Sequence, residues 1–149
     1  MGRIRITKKF HFEMAHALVG YDGLCRNIHG HSYELSVTVT GCVTEDKASP
    51  KCGMLMDFSD LKHLVEERIV SRFDHALVLN TAVDGDLVAQ LKRHYDKVEL
   101  LQYQPTSELM LCHFAEMLRP HLPENVRLHS LRLAETASSY AEWYAEDNL

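Results

Sequence analysis

The 149-residue chain is short of the residues that mark unusual architectures: seven glycines, four prolines, one tryptophan and four cysteines. With so little glycine and proline, collagen-like and low-complexity readings fall away, and the 46% hydrophobic and 25% charged fractions are those of an ordinary globular protein. Cys25, Cys42, Cys52 and Cys112 form no C-x-x-C pair, which excludes a zinc knuckle or a secreted disulfide scaffold and points to reduced thiols. An excess of positive charge is also missing. Sixteen basic against 21 acidic side chains leave −5, the wrong sign for a protein that grips nucleic acid or an anionic bilayer. There is no apolar run of the roughly 18 residues that suggests a membrane span. Met1 to Met14 alternates charged with apolar residues instead of building a leader's apolar stretch, so a cytoplasmic protein is expected.

What is abundant is histidine, ten in all, and the chemistry is expected where histidines cluster. From Arg3 to Leu18 the residues alternate, with Ile4, Ile6, Phe10, Phe12 and Met14 on one parity and Arg3, Arg5, Thr7, Lys9 and Glu13 on the other, which predicts a half-buried strand. Alternation resumes at His29, with Tyr33, Leu35, Val37, Val39 and Val43 sharing a face, and predicts an antiparallel partner. Phe58, Leu61, Leu64, Val65, Ile69 and Phe73 recur at helical spacing behind Asp57 or Ser59 as cap. Leu87, Leu91 and Tyr95 suggest a short helix, and Lys97 to Gln104 a short extended run. Pro105, Thr106 and Ser107 open a helix to Leu118, and Val126–Thr136 with Ser139–Glu146 read as a closing hairpin. The expectation is one domain over residues 1–149 of the α+β class: a four-stranded antiparallel sheet with two helices on one face.

Residues two apart on a strand point the same way. His16 shares the parity of Phe12 and Met14, and His29 and His31 share that of Tyr33 and Leu35, so all three imidazoles are expected on the apolar side where the 17–28 connection brings the two strand ends together. One inward histidine is ordinarily a satisfied core residue. Three converging around an open fourth position make the arrangement of a catalytic zinc, with Gly30 letting the backbone pass close to the ion. Cys25 has two competing roles: a fourth ligand that closes a structural site, or a free nucleophile or base beside the cation. Asp74-His75 is either a helix-terminal turn or a carboxylate–imidazole pair that activates the thiol. Glu135, with the parity of Leu131 and Leu133, is either an internal ion-pair partner or a carboxylate awaiting the fork-like N–H edge of a guanidinium or a 2-amino-4-oxo-pyrimidine ring.

The segments F-H-F-E-M-A-H (10–16), C-R-N-I-H-G-H-S (25–32), M-D-F (56–58), F-D-H (73–75), P-T-S-E (105–108) and L-A-E-T (133–136) stand together in an order that resembles the 6-pyruvoyl-tetrahydropterin synthase and 6-carboxy-tetrahydropterin synthase family, from about Ile4 to Trp143. The resemblance implies the tunnelling fold (T-fold) and a homo-oligomeric barrel, commonly a hexamer built as a dimer of trimers. It implies His16, His29 and His31 as zinc ligands, Cys25 as catalytic base with Asp74 and His75 as activating partners from a neighbouring subunit, Glu135 as pterin anchor, and Thr106 and Ser107 as ring contacts. The implied substrate is 7,8-dihydroneopterin triphosphate. The gap of three residues from Cys25 to His-Gly-His resembles the bacterial 6-carboxy-tetrahydropterin synthases of queuosine-precursor synthesis, which release acetaldehyde and triphosphate; the pyruvoyl branch has a longer gap. Asp84 to Gln104 is longer than in compact bacterial members, so the wall it builds bears on substrate preference.

Overall fold

The computed structural model describes residues 2–149. Two long antiparallel strands, β1 (Arg3–His16) and β2 (His29–Cys42), form the spine, in register from Arg3↔Cys42 to His16↔His29. Their alternation is realised: Phe10, Phe12, Met14, Tyr33, Leu35, Val37 and Val39 are buried on one face. The other face is polar and pairs within itself, Thr7 with Thr38 at 2.7 Å, Lys9 with Glu34 at 3.3 Å, and Ser32 donating to Glu13 at 2.7 Å. β5 (Val126–Ala134) and β6 (Tyr140–Tyr144) close the hairpin and extend the sheet antiparallel from β2.

The expected four-stranded antiparallel sheet is corrected to six strands of mixed direction, in the order β4-β3-β1-β2-β5-β6. The two additions, β3 (Ala76–Asn80) and β4 (Val98–Leu101, within the extended run expected over Lys97 to Gln104), run parallel, β3 beside the end of β1 and β4 beside β3. Parallel strands lie under cover on both faces and so carry continuous apolar runs in place of alternation. Ala-Leu-Val-Leu-Asn is such a run, and its period-2 signal is absent for that reason.

The apolar face is covered by two helical layers. α1 (Phe58–Val65) passes through a π-helical turn (Glu66–Val70) into α2 (Ser71–Phe73), and Leu61, Val65, Ile69 and Phe73 are fully buried at a constant spacing of four. Asp57 caps its start, accepting from Ser59 N at 2.8 Å. α4 (Ser107–Leu118) buries Met110, Leu111, Phe114, Ala115 and Leu118 over β5 and β6. A third helix, α3 (Gly85–His94), fills the crossover between β3 and β4 as expected from Leu87 and Leu91.

Candidate metal and pterin site

His16 ends β1 and His29 begins β2, and the register places them opposite each other, with His31 opposite Met14. All three imidazoles lie on the inner side, as parity requires. Their ring centroids are 4.5 Å (His16 to His29), 5.3 Å (His16 to His31) and 5.1 Å (His29 to His31) apart. One ring nitrogen from each lies within 4.8 Å of the others.

The ring orientations are set from behind. Pro105's carbonyl lies 2.7 Å from His16 Nδ1, and Asn27's carbonyl lies 2.7 Å from His29 Nδ1. A carbonyl only accepts, so each Nδ1 carries the proton and each Nε2 presents a lone pair. Those two Nε2 atoms face each other at 3.0 Å. Two neutral lone pairs so placed repel unless a cation lies between them, and that donor set fits a zinc ion. Burial, aided by the neighbouring His29 and His31, keeps His16 below the ordinary imidazole pKa, against the pull of Pro105's carbonyl and the Glu135 carboxylate, which favours the neutral ligand form. Gly30 has a different purpose from the one expected. It lies on the opposite face from the imidazoles, and a Cβ there would stand 3.2 Å from Met14's carbonyl oxygen, so its smallness serves strand pairing.

Glu135 follows β5 directly and sits beside this group. Its Oε1 accepts from Ser107 Oγ at 2.7 Å, and its Oε2 is 3.8 Å from His31 Nε2. No arginine pairs with it among the described residues, so the ion-pair alternative finds no partner. The carboxylate opens into a small pocket of about 150 Å³ shared with Ser107, Glu108, Ser139, Tyr140 and Ala141. Thr106 is the cap of α4, its Oγ1 accepting from Leu109 N at 3.3 Å, and so sets Ser107 in the first turn.

Cys25 lies in a 3₁₀ turn (Leu24–Arg26) and is exposed. Its carbonyl accepts from Leu18 N at 3.0 Å, which folds the 17–28 connection back beside the histidines. Gln104 fastens the same connection: its side-chain amide accepts from Val19 N at 3.2 Å and donates to Val19's carbonyl at 2.6 Å.

Asp74 and His75 are held rigidly elsewhere. Asp74 Oδ1 accepts from Glu13 N at 2.9 Å, His75 N donates to Glu13's carbonyl at 2.6 Å, and Lys97 donates to Asp74's carbonyl. The bond from Glu13's amide, helped by His75 and Lys97, keeps the Asp74 carboxyl below its ordinary pKa. His75 adopts φ +61, a strained setting for a non-glycine residue, and its Nδ1 lies 2.9 Å from Asp74 Oδ2. Its side chain is 76% exposed, at a cleft of about 630 Å³ that His31, Ser32, Tyr95 and Lys97 also line. The α3–β4 segment thus does build a wall, through Tyr95, Asp96 and Lys97. Among the described residues no hydrogen bond or ion pair joins Cys25 to Asp74 or His75. The chain therefore assembles His16, His29, His31, Glu135 and Ser107 in one place and leaves the Asp74-His75 pair projecting outward.

The sequence matches the model of the family described as 6-pyruvoyl tetrahydropterin synthase over residues 5–146. The chain belongs to that family. Among 6-pyruvoyl tetrahydropterin synthase relatives, the 6-carboxy-5,6,7,8-tetrahydropterin synthase of Haemophilus influenzae is 33% identical over 141 residues, covering 93% of this chain and 97% of the relative. The protein of that name from a Synechocystis species is 31% identical, covering 94% and 92%. The 6-pyruvoyl tetrahydropterin synthase structure from Caenorhabditis elegans superposes with a TM-score of 0.68 at 23% identity, covering 97% of each chain. An uncharacterised protein of Wolinella succinogenes reaches 0.76 at 18% identity, covering 97% and 99%. These structures establish the tunnelling fold for this family member.

Tyr33 and the carbonyls of Asn27 and Pro105 join the site without having been singled out. Tyr33 stacks on Phe12 with centroids 5.2 Å apart and meets His31 edge-on at 5.4 Å. Burial, reinforced by the Glu135 carboxylate, pushes its phenol above the ordinary value, so it is a neutral donor. Its parity with His31 was a visible signal; the two carbonyls carry none, since any residue supplies one.

Proposed function

We propose that the protein is a zinc-dependent carbon–carbon lyase that converts 7,8-dihydroneopterin triphosphate and one water to 6-carboxy-5,6,7,8-tetrahydropterin, releasing acetaldehyde and triphosphate, in cytoplasmic synthesis of a queuosine-type 7-deazapurine precursor. The observation that carries this reading is the pair of outward-held Nε2 lone pairs at 3.0 Å, with His31 and a carboxylate alongside. The names of the relatives from Haemophilus influenzae and Synechocystis support the carboxy product over the pyruvoyl one.

His16, His29 and His31 would hold the metal, which when bound supplies Lewis-acid polarisation of the substrate's side-chain hydroxyls. The chain's own groups do the rest. Glu135 accepts two parallel N–H bonds from the 2-amino-4-oxo edge of the ring, and Ser107, set by the Thr106 cap, steadies that carboxylate. Anchored so, the ring presents its side chain to the histidine cluster. Cys25 takes and returns protons along that side chain as the triphosphate leaves, a task that suits its place on an exposed turn tied to Leu18. Asp74 orients and charges His75, and the outward projection of that pair favours its serving the Cys25 of a second copy in a homo-oligomer such as a dimer of trimers.

Incubation with 7,8-dihydroneopterin triphosphate and mass spectrometry of the products tests the reading: 6-carboxy-tetrahydropterin and acetaldehyde are expected. A pyruvoyl product with every side-chain carbon retained, and no acetaldehyde, would reassign the chain to the triphosphate-eliminating branch.

Cys25→Ala separates a catalytic thiol from a structural ligand. Zinc content and pterin binding are expected to match the parent while turnover falls by roughly 10²-fold or more, the scale of a lost acid–base group. Loss of zinc in that variant would make Cys25 the fourth ligand and the site structural.

A further inference from the structure

One buried side-chain polar atom among the described residues has no hydrogen-bond partner, the hydroxyl of Tyr33. A tyrosine in a core ordinarily satisfies its O–H, because an unpaired buried donor keeps its full desolvation penalty. Tyr33 is completely buried, stacked on Phe12 and set against His16 and His31 at 6.2 and 5.4 Å. An apolar core needs a phenylalanine here; the hydroxyl adds nothing to that packing.

Its placement supplies the reason. The β2–β5 ladder ends at the pair Glu34 and Ala134, and Tyr33 and Glu135 are the residues that flank that pair, so both lie at the same end of the ladder. A carboxylate that accepts two parallel N–H bonds from a ring edge uses one lone pair on each oxygen, and the remaining lone pairs must be met by the protein to keep its plane fixed. Ser107 meets Oε1. Oε2 has no hydrogen-bond donor among the described residues, and His31 Nε2 stands at 3.8 Å, too long for a hydrogen bond. Among the described residues the site therefore holds one buried donor without an acceptor and one carboxylate oxygen without a donor, at the same end of the β2–β5 ladder.

We propose that Tyr33 is a positioning residue of the pterin anchor: with the ring bound, its hydroxyl donates to Oε2 of Glu135, as Ser107 does to Oε1, and locks the carboxylate in the plane of the ring. This rests on the reading of Glu135 as anchor. Tyr33 touches no substrate atom in this scheme; it acts through Glu135.

The test is fluorescence titration of metal-loaded protein with neopterin, alongside thermal unfolding of the ligand-free protein, for the parent, Tyr33→Phe and Glu135→Gln. Tyr33→Phe keeps the ring, the stack and the edge contacts. Its pterin affinity is expected to fall by about tenfold or more, the size of one hydrogen bond to a charged group, while Tm stays equal to the parent's or rises as an unpaired buried hydroxyl is removed. Unchanged affinity in Tyr33→Phe, with Glu135→Gln defective, would overturn the role of Tyr33 alone. A parallel drop in Tm and affinity would make the residue structural and overturn it too. Tight binding by Glu135→Gln would overturn the anchor reading itself, and this inference with it.

Discussion

Replacing His29 or His31 by alanine is expected to strip the protein of zinc and abolish turnover while the fold survives. The three imidazoles converge from two strand ends, and a three-ligand zinc site that loses one nitrogen keeps too few donors to hold the ion against solvent. Both positions are half-buried at the start of β2, so truncation there opens the site to water without emptying the core. His16 makes a poorer test, because it is buried and faces Pro105's carbonyl, and its loss would leave that acceptor unpaired. Metal analysis after dialysis, with circular dichroism to confirm folding, reads the result. Full zinc occupancy in both variants would sink the metal site.

Glu135→Gln is expected to weaken pterin binding by about 2 to 4 kcal/mol, from the roughly 1.5 to 3 kcal/mol of each charge-assisted hydrogen bond, which is a loss of roughly 30- to 1,000-fold. The exchange keeps the shape and the Ser107 contact but turns one acceptor into a donor facing another donor. Zinc content and thermal stability are expected to hold, since no arginine among the described residues depends on this carboxylate. Isothermal titration with a pterin measures the affinity directly. If Glu135→Gln binds as tightly as the parent, or unfolds, the carboxylate belongs to the structure.

Much of this was open to reading from the chain alone, for a physical reason. β1 and β2 each pack one face on the core and leave the other in solvent, and that asymmetry writes itself as strict alternation, which places His16, His29 and His31 on one side by parity alone. Asp57, the D of the M-D-F segment, is legible as a helix cap and is one. The apolar run of β3 carries no alternation to mark it as a strand, and the extended run over Lys97 to Gln104, which contains β4, carries no sign that it joins the same sheet. The contacts that aim the imidazoles were beyond reach for another reason: His16 meets a backbone carbonyl 89 positions away.

β3 ends at Asn80 and β4 begins at Val98, beside Leu77, so residues 81–97 leave the sheet at one end of β3 and return to it at the other. Four residues after Leu101, Pro105 fixes the tautomer of His16, and Gln104 clasps Val19 in the connection that carries Cys25. An excursion of this kind is free to lengthen, shorten or change its helix, because a looped-out segment transmits no displacement while its two feet stay paired. Its feet are not free. A graft that shortens residues 82–96 and keeps β4 should leave zinc binding intact, and one that shifts Leu101 by a single step along β3 would carry Pro105 and Gln104 out of position together. Tyr95 and Asp96 thus sit on a segment that can change while the pairing of one short parallel strand keeps Pro105 and Gln104 in step with the histidine cluster.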